Sequence, residues 1–193
     1  MSRPTRSFTA TSAVGFSSGP ETGHEVFFWF VGGSVLLVWL VFQTPTIDYR
    51  MVALGAVLPL LDALLGGPRV LHTLLAPVIV MIVVMAATTG HRLQRRRWLG
   101  LPIGMFLHLV LDGTWSDQVQ FWWPFLGADF ATAGLLEWHR GALGIVLELA
   151  GLAAIWWMVV RFDLIDPERR RRFLRDGQLD RSLLASDHAP PSC

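Results

Sequence analysis

Five long apolar stretches, separated by short polar or turn-forming segments, dominate the sequence. They occupy residues 26–42, 51–65, 70–88, 98–112 and 141–160. A helix needs about 20 mostly apolar residues to cross the hydrocarbon core of a bilayer. The chain is 52% hydrophobic and only 16% charged, whereas soluble domains are usually about one-quarter charged. We therefore predict an all-α, polytopic helical membrane protein with about five transmembrane helices plus an interfacial segment.

Polar segments flank this apolar region at both ends. Residues 1–25 are rich in Ser, Thr, Gly and Pro and contain no apolar core, so we predict a disordered N-terminal tail and not a signal peptide. We further predict a helical transmembrane domain at residues 26–162 and a basic cytoplasmic C-terminal tail at residues 163–193. The single cysteine, Cys193, excludes an internal disulfide and a cysteine-rich metal site.

The arginines predict the orientation of the chain, because cytoplasmic loops of membrane proteins carry the excess of basic residues. With five spans, the loop sequence HRLQRRR and the run at residues 169–172 fall on one side, together with Arg50. This places the N-terminus outside and the C-terminus in the cytoplasm of a multi-pass protein of the plasma (inner) membrane. The net charge of +1 gives no reason to expect a nucleic-acid partner. The basic tail is expected to meet anionic membrane lipids, with a cytosolic protein partner as the alternative.

Acidic residues and histidines converge on the outer side of this topology. Polar side chains are costly inside a membrane, and they tend to face the bundle interior and to mark functional sites. Four segments contribute them, whereas chance would scatter them between both sides. The residues are Asp62, His72, His108, Asp112, Glu137 and His139.

His108 and Asp112 lie four residues apart, so on a helix they share one face. Nitrogen and oxygen ligands suit zinc and other divalent transition metals, so we predict a divalent metal here, with zinc as the first candidate. The alternative is that Asp112 only ends the helix and His108 satisfies a neighbour. Glu148, in the middle of the fifth stretch, needs a partner in another span or a ligating histidine to support.

Two further features suggest contacts with a substrate. Arg69, in the turn GGPR, is suited to an anionic group such as a phosphate, although pairing with an acid or a lipid headgroup is the simpler reading. The aromatic block at residues 121–125 predicts a segment lying on the membrane surface. Its Trp122 and Trp123 either anchor that segment or seat the acyl portion of a substrate.

The motif HLVLDGTW, followed by FWWPF, resembles the YdjM-like family of small membrane-bound metal-dependent hydrolases. That family is also described as LexA-binding, inner-membrane-associated hydrolases. The resemblance covers about residues 55 to 127. The matching elements are Asp62, His72 with Thr73, His108 with Asp112, and the Trp-Pro-Phe block at residues 123–125.

The resemblance implies a divalent metal held by His72, His108 and Asp112, with Asp62 as a ligand or a base. Many relatives carry a further histidine five residues before the one that matches His72, and this chain has Gly67 there. Either Glu137 or His139 then takes its place, or the metal is weakly held or absent.

These observations predict a metal-dependent hydrolase at the outer membrane face, acting on a lipid phosphoester, with Asp62 and Glu137 as catalytic residues. The alternative is a non-enzymatic integral membrane subunit or assembly factor, in which the same polar residues form a structural network. A third interpretation is a small transporter with Glu148 as proton carrier. Many transporter folds contain inverted repeats, and the absence of a visible internal repeat in this sequence argues against it.

Overall fold

The computed structural model describes residues 26–65, 70–127 and 141–179, and every regular element in these ranges is helical. The predicted N-terminal tail and the last part of the C-terminal tail lie outside them. Short 3-10 turns at Val70–His72 and Thr114–Ser116 accompany the α-helices. The helices are α1 Phe27–Phe42, α2 Tyr49–Val57, α3 Leu60–Leu65, α4 Leu75–Ala87, α5 Arg92–Trp98, α6 Gly100–Asp112, α7 Gln118–Phe121, α8 Gly141–Arg161 and α9 Pro167–Asp176.

The helix lengths only partly match the predicted spans. In the described part of the chain, one helical segment, Leu143–Arg161, is long and apolar enough to cross a membrane, while α1 and α4 are apolar but shorter. Helix α6 has 13 residues, a length of about 20 Å, against a hydrocarbon core of about 30 Å. The prediction of an all-helical fold is confirmed, and the lengths by themselves do not confirm five spans.

Proline and a short turn shorten two of the predicted spans. The second stretch is divided into α2 and α3 at Leu58 and Pro59, because proline has no N–H with which to continue the helical hydrogen bonds. In the third stretch, the 3-10 turn Val70–His72 precedes α4. The break after α2 leaves carbonyl groups of its last turn available to other partners, and the candidate site uses one of them.

Glycines let α2 and α6 pack with their backbones in close approach. A Cβ atom on Gly104 would clash with the carbonyl oxygen of Val52, and one on Gly55 would clash with that of Leu101. Gly100 and Gly104 form a small-xxx-small pattern, which is typical of closely packed membrane helices. Gly100 faces Asp48 and Val52, and Gly104 faces Val52 and Ala56, so the two helices run in the same direction.

Helices α1 and α8 also run in the same direction and meet through glycines. Cβ atoms on Gly32 and Gly151 would clash with the backbone of Gly151 and of Phe28, respectively. One turn earlier on α8, the Glu148 carboxylate accepts a 2.8 Å hydrogen bond from the Phe28 N–H. A carboxylate at a helix N-terminus satisfies an otherwise unpaired N–H and favours the helix dipole. Glu148 thus caps α1, whose own N-cap residue, Val26, makes no side-chain cap.

A buried carboxylate at the N-terminal end of α2 joins three segments of the chain. Asp48 is 1% exposed and caps α2 by accepting from the N–H groups of Arg50 and Met51. It also binds the Arg50 Nη2 at 3.0 Å and the Arg97 Nε at 3.1 Å. The hydrogen bond to Asp48 raises the pKa of Arg50. Gly177, at φ 69°, packs against this carboxylate in a space that a Cβ atom would fill.

The first part of the predicted C-terminal tail is therefore packed on the helical domain. The Tyr49 N–H donates to the Gly177 carbonyl at 2.9 Å, and the Leu179 N–H donates to the Pro45 carbonyl at 3.2 Å. Leu179 is buried in one apolar cluster with Val38 and Tyr49. The tail and the helices cannot be separated without exposing this cluster.

Candidate metal centre

Three side chains from two separate segments come together at the C-terminal end of α6. His72 belongs to the 3-10 turn before α4, His108 lies in α6, and Asp112 is the last residue of α6. One potential ligand atom from each lies within 4.8 Å of the others. Small rotations of these side chains can therefore bring all three around one ion at the usual bond lengths of about 2.0–2.2 Å.

The His108 ring is buried and is held by two neighbours. It is fully buried, it stacks on Phe30 with the ring centroids 4.0 Å apart, and its Nδ1 lies 2.6 Å from the Ala56 carbonyl oxygen. A carbonyl can only accept, so Nδ1 carries the proton and Nε2 is the nitrogen that can ligate a metal. Gly104, one turn before His108, allows the close approach of α2 that brings the Ala56 carbonyl to this ring.

The carboxylate of Asp62 lies next to the Nδ1 side of the His72 ring. The Asp62 Oδ2 accepts a 2.6 Å hydrogen bond from the Leu71 N–H and lies 3.5 Å from the His72 Nδ1. Ligating histidines usually direct the second ring nitrogen at a carboxylate or carbonyl, which fixes the ring and makes the ligand more basic. Asp62 therefore lies behind His72, outside the group of three, in the position of a supporting residue.

Asp112 is positioned by the turn that follows it. Gly113 ends α6 with φ 77°, a left-handed conformation that glycine adopts without steric cost. The chain then turns back, and the buried Thr114 hydroxyl donates a 2.9 Å hydrogen bond to the Asp112 Oδ2. The sequence DGT thus orients the carboxylate.

The aromatic segment lies beside the His72 turn. Helix α7 is capped by Asp117, which accepts from the N–H groups of Val119 and Gln120. The Phe121 carbonyl at its end accepts from the Leu74 N–H at 3.0 Å. Trp122 is 46% exposed, while Trp123 is half-buried.

The structure brings together some of the residues predicted from the sequence. His72, His108 and Asp112 meet, and Asp62 contacts His72. Arg69, Glu137 and His139 lie outside the described residues. Three further parts of the site were not predicted from the sequence: Phe30, Thr114 and the Ala56 carbonyl. The threonine two residues after Asp112 was a usable signal for Thr114, whereas a backbone carbonyl has no signature in the sequence.

We expect Asp62→Asn to lower zinc affinity by about 10-fold to 100-fold, because losing such a supporting partner commonly has this effect. The measurement is a competition titration against a zinc chelator dye in detergent. Asp117→Asn is the matched control, since Asp117 caps α7 and makes no contact with either histidine. Equal affinities for the two variants would contradict the supporting role of Asp62.

The chain was compared with models of known protein families. A family model described as YdjM inner membrane protein matches residues 7–162. Comparisons with curated proteins and with solved structures found no match. The matched range includes all three residues of the candidate metal centre as well as Asp62. Since it covers most of the sequence, the chain belongs to the YdjM inner membrane protein family.

Proposed function

We propose that this protein is a membrane-bound, metal-dependent hydrolase that cleaves a lipid phosphoester at the outer face of the inner membrane. The observation that carries the proposal is the group His72, His108 and Asp112, whose potential ligand atoms lie within 4.8 Å of one another. Both histidines have Nδ1 directed at an acceptor, which suits Nε2 to metal binding.

The donor set fits zinc. Two imidazoles and one carboxylate are a common set in catalytic zinc sites, which keep a further coordination position open for water or substrate. When bound, zinc supplies Lewis acidity to a phosphoryl oxygen and lowers the pKa of a water molecule to about 7. His72 and His108 remain neutral in this role, and Asp112 supplies a negative charge.

The remaining roles belong to residues around this group. Asp62 would keep His72 in the tautomer that ligates. In this proposal Glu137 would accept a proton from the attacking water, and His139 would add a ligand. Arg69 would bind the phosphate.

The acyl portion of the substrate would rest on the aromatic segment. Trp122 and Phe125 are exposed, at 46% and 75%, as expected of side chains at a membrane surface. The segment is joined to the start of α4 by the hydrogen bond between Leu74 and Phe121, so it lies close to His72. Trp122 and Trp123 are the proposed contacts.

The proposed topology has five membrane passes, with the metal group outside. In support, α1 and α8 run in one direction, and α2 and α6 run together. Arg50 and Arg97 meet at Asp48, and an Arg50 nitrogen donates to the Leu174 carbonyl of α9. Three arginine-bearing segments therefore gather at the end opposite the metal group, as expected of a cytoplasmic face.

The activity test uses zinc-loaded protein with phosphatidic acid and with phosphatidylcholine in mixed micelles, and follows phosphorus-containing products by phosphorus NMR. We expect cleavage of at least one lipid, abolished by a chelator and restored by zinc. Asp112→Asn should reduce the rate by at least about 100-fold, whereas Asp163→Asn, at an exposed position, should not. No cleavage by zinc-loaded protein, or an unchanged rate in Asp112→Asn, would contradict the proposal.

A second candidate function is that of a non-enzymatic membrane subunit with a structural polar network. The observation in its favour is the extent of hydrogen bonding: His108 binds the Ala56 carbonyl, Asp62 binds Leu71, and Thr114 binds Asp112. Satisfied polar networks stabilise one arrangement of a buried core. This function predicts that purified protein holds no stoichiometric metal and keeps its fold in a chelator.

A further inference from the structure

An apolar groove lies between α4 and the α5–α6 junction, at the end of α6 away from the metal centre. Its volume is about 370 Å³, within the range of about 300–1,000 Å³ typical of small-molecule sites. Ile79, Val83 and Ala87 line it from α4, and Trp98 and Leu101 line it from the other side. Leu101 precedes Asp112 by 11 residues of α6, so about 16 Å of helix separates the groove from the metal centre.

Arginines stand at the α5 end of this groove. Arg95 precedes the groove-lining Trp98 by three residues, and Arg92 precedes Arg95 by three, so all three share one side of α5. Arg97 is occupied, since its Nε binds the buried Asp48. In the described part of the chain, neither Arg92 nor Arg95 forms an ion pair with an acidic side chain.

The Arg95 side chain has a nitrogen, Nε, that lacks a hydrogen-bond acceptor among the described residues. This side chain is half-buried. A buried donor without a partner is unfavourable, and a guanidinium matches the oxygens of a phosphate in a bidentate arrangement. The groove lining is thus apolar, and Arg95 and Arg92 lie about one and two turns of α5 before Trp98 at its edge.

We propose that this groove binds one anionic phospholipid, with an acyl chain along α4 and the phosphate on Arg95 and Arg92. Charge complementarity selects an anionic lipid over a zwitterionic one, because neither Arg92 nor Arg95 is paired with a carboxylate of the described residues, and the nearby Asp48 is already bound by Arg50 and Arg97. The site lies at the arginine-rich end and is separate from the metal centre. It would hold a lipid whether or not the metal centre is catalytic.

The test is native mass spectrometry of the full chain in a neutral detergent, with equal concentrations of phosphatidylglycerol and phosphatidylcholine of matched acyl chains. We expect wild-type protein to retain phosphatidylglycerol with about tenfold higher affinity, as one charge-assisted interaction provides. Arg92→Gln/Arg95→Gln should remove this preference. Val83→Trp, which fills the groove, should lower retention of both lipids.

Matched controls separate the groove from general lipid attraction. Ile145→Trp enlarges an exposed side chain on α8 and should retain phosphatidylglycerol as the wild type does. Arg171→Gln alters an exposed arginine of the basic tail on α9 and measures the general attraction of the tail for anionic lipid, so it should lower the preference less than Arg92→Gln/Arg95→Gln does. Thermal melting of each variant reports on folding, and Val83→Phe serves if Val83→Trp does not fold. Glycerol phosphate, which has the anion without the acyl chain, should not displace the lipid.

Three outcomes would overturn the proposal. The first is equal retention of the two lipids by wild-type protein. The second is an unchanged preference in Arg92→Gln/Arg95→Gln. The third is displacement of phosphatidylglycerol by an equal concentration of glycerol phosphate, which would indicate a site for free phosphate.

Discussion

Replacing His108 with asparagine is expected to remove the bound metal and leave the helical fold intact. The asparagine side-chain nitrogen takes the position of the histidine Nδ1, so it can still donate to the Ala56 carbonyl, which now lies 2.6 Å from that atom. Asparagine has no atom at the position of the histidine Nε2, so it cannot ligate the metal from there. We expect zinc affinity to fall by more than the 10-fold to 100-fold effect of losing a supporting residue, as measured by metal content after dialysis.

Two other variants at this position provide the controls. His108→Ala should lower stability by about 2 kcal/mol or more, because it leaves the buried Ala56 carbonyl without its donor and opens a cavity beside Phe30. His108→Gln should lose the contact with Ala56 and keep an oxygen or nitrogen near the Nε2 position. If His108→Asn keeps wild-type metal content, His108 is not a ligand.

Replacing Gly104 with alanine is expected to destabilise the protein by about 3 kcal/mol, the upper end of the usual effect of overpacking. The added methyl group would clash with the Val52 carbonyl and the Ala56 amide nitrogen. Both are backbone atoms and cannot move aside as a flexible side chain would. The measurement is the melting temperature in detergent, monitored by tryptophan fluorescence.

The same variant should also weaken metal binding. Gly104 and His108 lie one turn apart on α6, and they face Val52 and Ala56, which lie one turn apart on α2. Moving α2 away would remove the carbonyl that orients the His108 ring. Val110→Ala is the control, because Val110 is on α6 and 40% exposed. If Gly104→Ala has the same melting temperature as Val110→Ala, the close packing of α2 on α6 is not needed for stability.

The helical class and the grouping of His72, His108 and Asp112 could be predicted from the sequence, because apolar runs and the polar residues within them follow recognisable patterns. Apolar runs predicted where the helices lie, with α1 and α8 almost as expected. The four-residue spacing of His108 and Asp112 predicted a shared face, and the topology brought His72 to the same end. The exact helix boundaries were less accessible, because Pro59 and the 3-10 turn at Val70–His72 act within otherwise apolar runs.

Contacts between distant parts of the chain could not be predicted. Glu148 was expected to need a partner, but nothing in the sequence identified the backbone N–H of Phe28. Asp48 lies in a short polar link between two apolar stretches, and its two arginine partners come from α2 and α5. The packing of Gly177 and Leu179 on α2 depends on the fold, since a basic segment after a span usually reads as a solvated tail.

The most direct test of the metal centre is zinc X-ray absorption spectroscopy on purified full-length protein, with the metal content of the same sample. We expect about one zinc per chain and a shell of nitrogen and oxygen ligands at about 2.0–2.1 Å, including the scattering pattern of two imidazoles. His108→Asn should lose this signal. A protein that holds no stoichiometric metal, or whose zinc has sulfur ligands at about 2.3 Å, would contradict the assignment of His72, His108 and Asp112.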